Sequence, residues 1–100
     1  MLLHGGRPVG TASLEREDLE SRPDLSPWLA GVYVEPAFRG RGYGTALVRR
    51  VEAFAREASV PVLWFHTWAA EPLYARLGWE RMGLEQDRGQ VVVLMRRLLP

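Results

Sequence analysis

One hundred residues, 47% apolar and 25% charged, are ordinary globular material and predict a single domain over residues 1–100 with one modest core. A net charge of +1 gives no support to a nucleic-acid or membrane-surface role, and all 13 basic residues are arginine, which excludes a lysine nucleophile or base. Cysteine is absent, which removes disulfides, thiolate metal sites and a cysteine nucleophile and fits a reducing, cytoplasmic setting.

Leu2-Leu3-His4 is a short strand candidate, Gly5-Gly6 is a tight-turn signal, and Val9 to Leu14 resumes an extended pattern, so a hairpin is expected. Residues 15–27 are polar, acidic and broken by Pro23 and Pro27, which reads as a loop. Its run Glu15 to Glu20 reads as a solvated face, with recruitment of a cationic acceptor as the alternative. Trp28 to Val34 is a near-continuous apolar run, the pattern of a strand covered on both faces, and Pro36 ends it. From Gly42 to about Ala58 the period changes. Leu47, Val51, Phe54, Ala55 and Ala58 fall at helical spacing with Arg49, Arg50, Glu52, Arg56 and Glu57 between them.

Val60 to Trp68 predicts another strand, apolar on both faces, and Glu71 to Leu77 a short helix stopped by Gly78. Trp79 to Glu85 and Gln90 to Leu98 read as two strands joined across Gln86-Asp87-Arg88-Gly89. The tryptophans are assigned mostly to the core. The resulting order, β-β-β-α-β-α-β-β, predicts an α+β domain. Its middle β-α-β places two parallel strands side by side with a right-handed crossover, inside a mixed and mostly antiparallel sheet.

The richest stretch is Arg39-Gly40-Arg41-Gly42-Tyr43-Gly44, between an apolar strand and the amphipathic helix. Alternating glycines strip side chains from a turn that opens a helix, so bare N–H groups and the positive end of the helix dipole face one point. That favours an anion such as a phosphate. A dinucleotide fingerprint does not fit, because Thr45 stands where its third glycine belongs and Val60 to Trp68 carries no carboxylate. A P-loop needs a lysine that the chain lacks. A glycine-rich turn with no ligand is the remaining alternative.

The same six residues fit the pattern Arg/Gln-x-x-Gly-x-Gly/Ala of the GNAT acetyltransferase superfamily. Trp28 to Pro36 resembles that family's fourth strand, Thr45 to Ala58 its long third helix, and Ala70 to Trp79 its segment of the type Phe-Tyr-x-x-x-Gly-Phe/Trp. The resemblance covers essentially the whole chain and implies transfer of an acetyl group from acetyl-CoA to an amine, without a metal. It implies that the backbone of Arg39, Gly40, Arg41, Gly42, Tyr43, Gly44 and Thr45 holds the CoA pyrophosphate. It also implies that the fourth strand splays from the fifth, so that Val32, Tyr33 and Val34 bind the pantetheine arm and the Val34 N–H faces the thioester oxygen. Tyr74 then matches the tyrosine that protonates the departing thiolate; the alternative is an interior tyrosine with its hydroxyl satisfied nearby.

For the general base, Glu35 at the strand end is the first candidate, and His66, Glu71 or a water chain are others. Glu35 has the alternative of a solvated strand-end carboxylate, His66 of a satisfied core histidine, and Glu71 of an acid that simply suits a helix N-terminus. Relative to typical family members, Met1 starts in what looks like the second strand, without the strand and two helices expected before it. An exposed edge and an open apolar face are therefore expected, covered in a homodimer. The acceptor, a small molecule or peptide amine, is not specified by any motif. A non-catalytic acyl-CoA-binding or interaction module is the alternative function.

Overall fold

Two hairpins flank the chain, and both turn in two residues. A computed structural model, describing residues 1–100, places β1 at Leu2–His4 and β2 at Arg7–Glu15, joined through Gly5 and Gly6 at φ 58° and 81°. At the other end β5 (Glu80–Asp87) and β6 (Gln90–Leu98) are joined through Arg88 and Gly89 at φ 51° and 79°. Paired left-handed residues match the twist of the flanking strands. The second hairpin therefore turns more tightly than the four-residue connection expected from sequence, and Gln86 and Asp87 belong to the strand.

Between the hairpins run β3 (Trp28–Val34), a 3-10 turn at Pro36–Phe38, α1 (Tyr43–Glu57), β4 (Val62–Thr67) and α2 (Glu71–Arg76). The sheet order is β1-β2-β3-β4-β6-β5, with β3 and β4 parallel and every other pair antiparallel. This is the α+β arrangement that the sequence predicts.

Two deviations in pairing position the site. The register of β3 against β2 slips by one residue between Thr11 and Ser13, opposite Gly31, whose φ of 60° suits a bulge residue without a side chain. In addition, β3 meets β4 at one registered pair, Trp28 with Trp64, next to a bond from the Trp64 N–H to the Pro27 carbonyl of 3.1 Å. Beyond that pair the two strands run on without pairing, which leaves a gap in mid-sheet.

Both helices cover one face. Val48 and Ala55 of α1 and Tyr74 of α2 pack with Leu29, Leu63, Met95, Trp79 and Leu99. Leu29, Leu63 and Met95 are wholly buried, and each contributes about 1.5–3 kcal/mol of apolar transfer free energy. The opposite face is covered by the acidic loop, which sets Leu19 over Trp28, Val92 and Leu94. That loop therefore packs as well as solvating itself.

Three sequence expectations shift. The strand expected at Val60 to Trp68 is shorter, because the Val60 N–H still bonds the Ala55 carbonyl at the end of α1. Trp68 lies past its other end and is 71% exposed, so it leaves the core that Trp28 and Trp79 occupy. In α1 the buried stripe is Leu47, Val48, Glu52 and Ala55, while Phe54 points outward.

Candidate active site

At the N-terminus of α1 the backbone itself forms the site. Gly42 caps the helix in the left-handed region (φ 80°, ψ 7°) and offers no side chain to the first turn. The first amide bonded there is that of Ala46, to the Gly42 carbonyl at 3.0 Å. The amides of Gly40, Arg41, Gly42, Tyr43, Gly44 and Thr45 have no acceptor in the chain. A Cβ on Gly40 or Gly42 would meet nothing within 4 Å, so both face open space. Consecutive free amides at the positive end of a helix dipole form a cradle for an anion.

The two flanking arginines are held by their neighbours and not by carboxylates. Arg39 donates from Nε to the Val34 carbonyl at 2.9 Å, with its guanidinium 5.6 Å from the Tyr33 ring centre. The Arg41 guanidinium lies 5.1 Å from the centre of the Phe38 ring. Phe38 stacks near Tyr43, whose hydroxyl lies 3.0 Å from Nδ1 of His4.

The cradle adjoins the gap through the end of β3. The Glu35 N–H donates to the Val9 carbonyl at 2.7 Å, so this part of β3 bonds to β2 at alternate residues. Alternation along an antiparallel ladder then turns the Val34 N–H the other way, toward the unpaired side. Tyr33 faces β2 with its amide, opposite Thr11, and is half-exposed by its side chain. Of Val32, Tyr33 and Val34, the alternation therefore leaves Val32 and Val34, and not Tyr33, with amides turned toward the gap.

Tyr74 reaches the helix-covered face from α2. The helix ends in a Schellman cap: the Trp79 N–H bonds the Tyr74 carbonyl at 3.0 Å and the Gly78 N–H bonds that of Ala75 at 3.1 Å, with Gly78 at φ 96°. The Tyr74 ring stacks on Phe65 of β4 with centres 4.0 Å apart and meets the edge of Trp79 at 5.8 Å. The residue is 3% exposed, yet its hydroxyl has no partner in the chain and is not among the sealed polar atoms, so Oη opens to solvent. Burial pushes the phenol up to about 12.

The base candidates separate. Glu35 makes no side-chain hydrogen bond or ion pair and lines a cleft of about 270 Å³ with Val9, Thr11 and Tyr33. His66 lies on the loop-covered face, its Nε2 2.9 Å from a carboxylate oxygen of Asp18 and its ring edge-on to Trp28. Burial raises the Asp18 carboxyl above the usual range, with His66 acting the other way. Glu71 sits 3.6 Å from the Arg81 guanidinium. Three or more potential metal ligands nowhere come together.

Sequence reasoning missed Glu52, which is buried and accepts a hydrogen bond from Trp79 Nε1 at 2.9 Å. Its signal, a carboxylate one turn after Val48, is the same as that of any solvated helix residue.

Residues 1–79 match the acetyltransferase (GNAT) family. The chain belongs to that family. Within the GNAT family, it is 37% identical over 84 residues to the N-alpha-acetyltransferase RimI of Mycobacterium tuberculosis, covering 82% of this chain and 51% of that protein. It thus spans about half the length of this relative. The crystal structure of a ribosomal-protein-alanine N-acetyltransferase from Brucella melitensis superposes with a TM-score of 0.78 at 28% identity, covering 98% of this chain and 66% of that one. A Bacillus anthracis protein solved in complex with acetyl coenzyme A shares the fold, with a TM-score of 0.78 at 17% identity over 97% of this chain and 59% of its own. No helix is long and apolar enough to cross a membrane.

Proposed function

We propose that this GNAT chain transfers an acetyl group from acetyl-CoA to an amine. The observation that carries the proposal is the run of free amides from Gly40 to Thr45, opening beside the gap between β3 and β4. The cradle takes the pyrophosphate, and the unpaired side of β3 at Val32 and Val34 takes the pantetheine arm, with Tyr33 and Arg39 closing the strand end. The relative named as an N-alpha-acetyltransferase makes peptide α-amines the first acceptors to test. Membership of the family and a fold shared with an acetyl-CoA complex support the same donor.

In the proposed reaction Glu35, or water held by it, takes the proton from the ammonium. The free amine attacks the thioester carbon, and the Val34 N–H stabilises the resulting oxyanion. The C–S bond then breaks, the amide forms, and the thiolate takes up a proton. Tyr74, protonated because burial holds it near 12, donates its O–H toward the sulfur. Complete transfer from such a phenol to a thiolate whose acid has a pKa of about 8.5 is uphill by roughly 5 kcal/mol. Its contribution is therefore a hydrogen bond to the developing charge. The nitrogen gives up two protons, one as the ammonium to Glu35 or its water and one after attack as the amide forms. The second balances the proton gained by the thiol, while the first is released.

Calorimetry with acetyl-CoA, followed by a thiol-release assay over a panel of peptide and small-molecule amines, tests the reading. Binding with amine-dependent release is expected. Binding without release for any amine favours the non-catalytic acyl-CoA-binding module, and no binding refutes both. A homodimer is proposed on the short edge strand β1, where Met1 and Leu3 are exposed. Light scattering showing only a monomer at micromolar concentration overturns that part alone.

A further inference from the structure

Tyr74 carries a reactive hydroxyl that nothing polar in the chain holds in place. Its aim is set by its ring, and its ring is set by Phe65 and Trp79, centred 5.9 Å from each other. Two apolar rings alone leave such a cage free to slide. A single polar tether prevents this, at the indole N–H of Trp79.

The acceptor of that N–H is Glu52, the one carboxylate in the buried set and only 2% exposed. Burying a carboxylate is costly unless its oxygens are paired. Arg49, one turn back in α1, supplies that pairing with Nη1 at 2.8 Å and 3.1 Å from the two oxygens. The Glu52 side chain is thus fixed at both ends, between a half-exposed arginine and the indole. Trp79 is at the same time the residue whose N–H closes the Schellman cap on the Tyr74 carbonyl. Backbone and side chain of Trp79 therefore both bear on Tyr74, and Glu52 fixes the side-chain half from a helix 27 positions away in sequence.

We propose that Glu52 is a positioning residue for the acetyl transfer: through Trp79 it fixes the Tyr74 ring so that the hydroxyl points at the departing sulfur. The proposal rests on the N-acetyltransferase reading above, in which Tyr74 touches the reacting atoms. A volume-filling Glu52→Leu leaves the indole N–H unpartnered, Glu52→Gln keeps an acceptor oxygen, and Trp79→Phe keeps a ring without the N–H.

Glu52→Leu and Trp79→Phe are expected to lower kcat at least tenfold with acetyl-CoA affinity, read by calorimetry, within twofold of the parent. Glu52→Gln is expected to restore kcat to within about threefold. In a Tyr74→Phe background Glu52→Leu should cost nothing further, because its effect runs through the hydroxyl. An undiminished loss in that background, or full kcat in a folded Glu52→Leu, overturns the proposal. If Glu52→Leu does not fold, Trp79→Phe carries the same test. A second readout needs no turnover: the absorbance titration of the Tyr74 phenol, isolated by subtracting Tyr74→Phe, should move down from about 12 in Glu52→Leu as water enters the cage. An unmoved titration contradicts the tether. Absence of acetyl transfer in the parent protein, with the titration shift present, refutes the enzymatic reading and leaves the tether standing.

Discussion

Gly42→Ala separates the backbone geometry of one glycine from its proposed role in binding acetyl-CoA. Gly42 has φ 80° and Gly89, in the distant β5–β6 hairpin, has φ 79°; a Cβ at either would meet nothing within 4 Å. Alanine at each position therefore suffers the same left-handed strain of about 1–2 kcal/mol, with no steric contact to add to it. For a domain of this size each kcal/mol lowers Tm by roughly 4–8 °C, so the two variants should melt alike and below the parent. They should differ in affinity. A methyl on Gly42 stands inside the cradle and displaces an anion from about two of its amides. Charge-assisted hydrogen bonds contribute about 1.5–3 kcal/mol each, which predicts a loss of roughly 3–6 kcal/mol, about 10²- to 10⁴-fold in Kd for acetyl-CoA. Calorimetry with acetyl-CoA beside a thermal melt reads both quantities. Equal affinity in Gly42→Ala and Gly89→Ala, at matched Tm, would refute the assignment of the cradle to the pyrophosphate.

Other consequences follow from the same geometry. Tyr74→Phe removes a hydroxyl with no internal partner, so stability should change by about 0.5 kcal/mol or less, while loss of a charge-assisted hydrogen bond of about 1.5–3 kcal/mol lowers turnover about 10- to 10²-fold with affinity kept; unchanged turnover removes Tyr74 from the mechanism. Burial raises this phenol from the ordinary 10 to about 12, so the unfolded chain releases its proton first as pH rises. The contribution of neutral Tyr74 is therefore intact below pH 10 and lost between about pH 10 and 12, by up to roughly 2–3 kcal/mol. Urea unfolding over this range should show a steeper decline in the parent than in Tyr74→Phe, and parallel curves would contradict it. At Gly10 a Cβ would lie 2.9 Å from the Tyr33 carbonyl oxygen and 3.0 Å from Leu47 Cδ1. Gly10→Ala should thus push α1 off β2 and destabilise by about 1–3 kcal/mol in chemical denaturation, and an unchanged midpoint would show that the helix yields freely.

The features legible in the sequence are those whose physics is local. Gly5-Gly6 and Gly89 turn hairpins, Gly78 stops α2, and the glycines after Arg39 open α1, because each acts on its own few residues. Where a long-range contact decides, the pattern misleads. Helical spacing allows either Phe54 or Glu52 to face inward, and hydrophobicity alone favours Phe54. The indole N–H of Trp79 reverses that choice, since it gives the Glu52 carboxylate a partner inside while Phe54 stays 61% exposed. Likewise His66 lies in an apolar strand, and only the returning loop supplies the Asp18 carboxylate that holds it.

The site itself consists of bonds left unmade, and one chain path explains why they lie together. β3 pairs with β2 as far as Val34 but loses β4 after Trp28, so one side of the strand is left without a ladder. The same strand then passes through Glu35 and the 3-10 turn at Pro36–Phe38 into the free amides from Gly40. Anion cradle and open strand edge are therefore consecutive on a single segment. Tyr74 arrives from the far bank, carried by β4 and α2 and held against Phe65. An extended ligand with an anion at one end and a reactive group at the other would be gripped by main chain from the β3 side and met by a side chain from the β4 side. That division explains why a single change at Gly42 should weaken binding by about 10²- to 10⁴-fold, whereas changes at Tyr74, Trp79 or Glu52 should leave binding intact and slow the reaction.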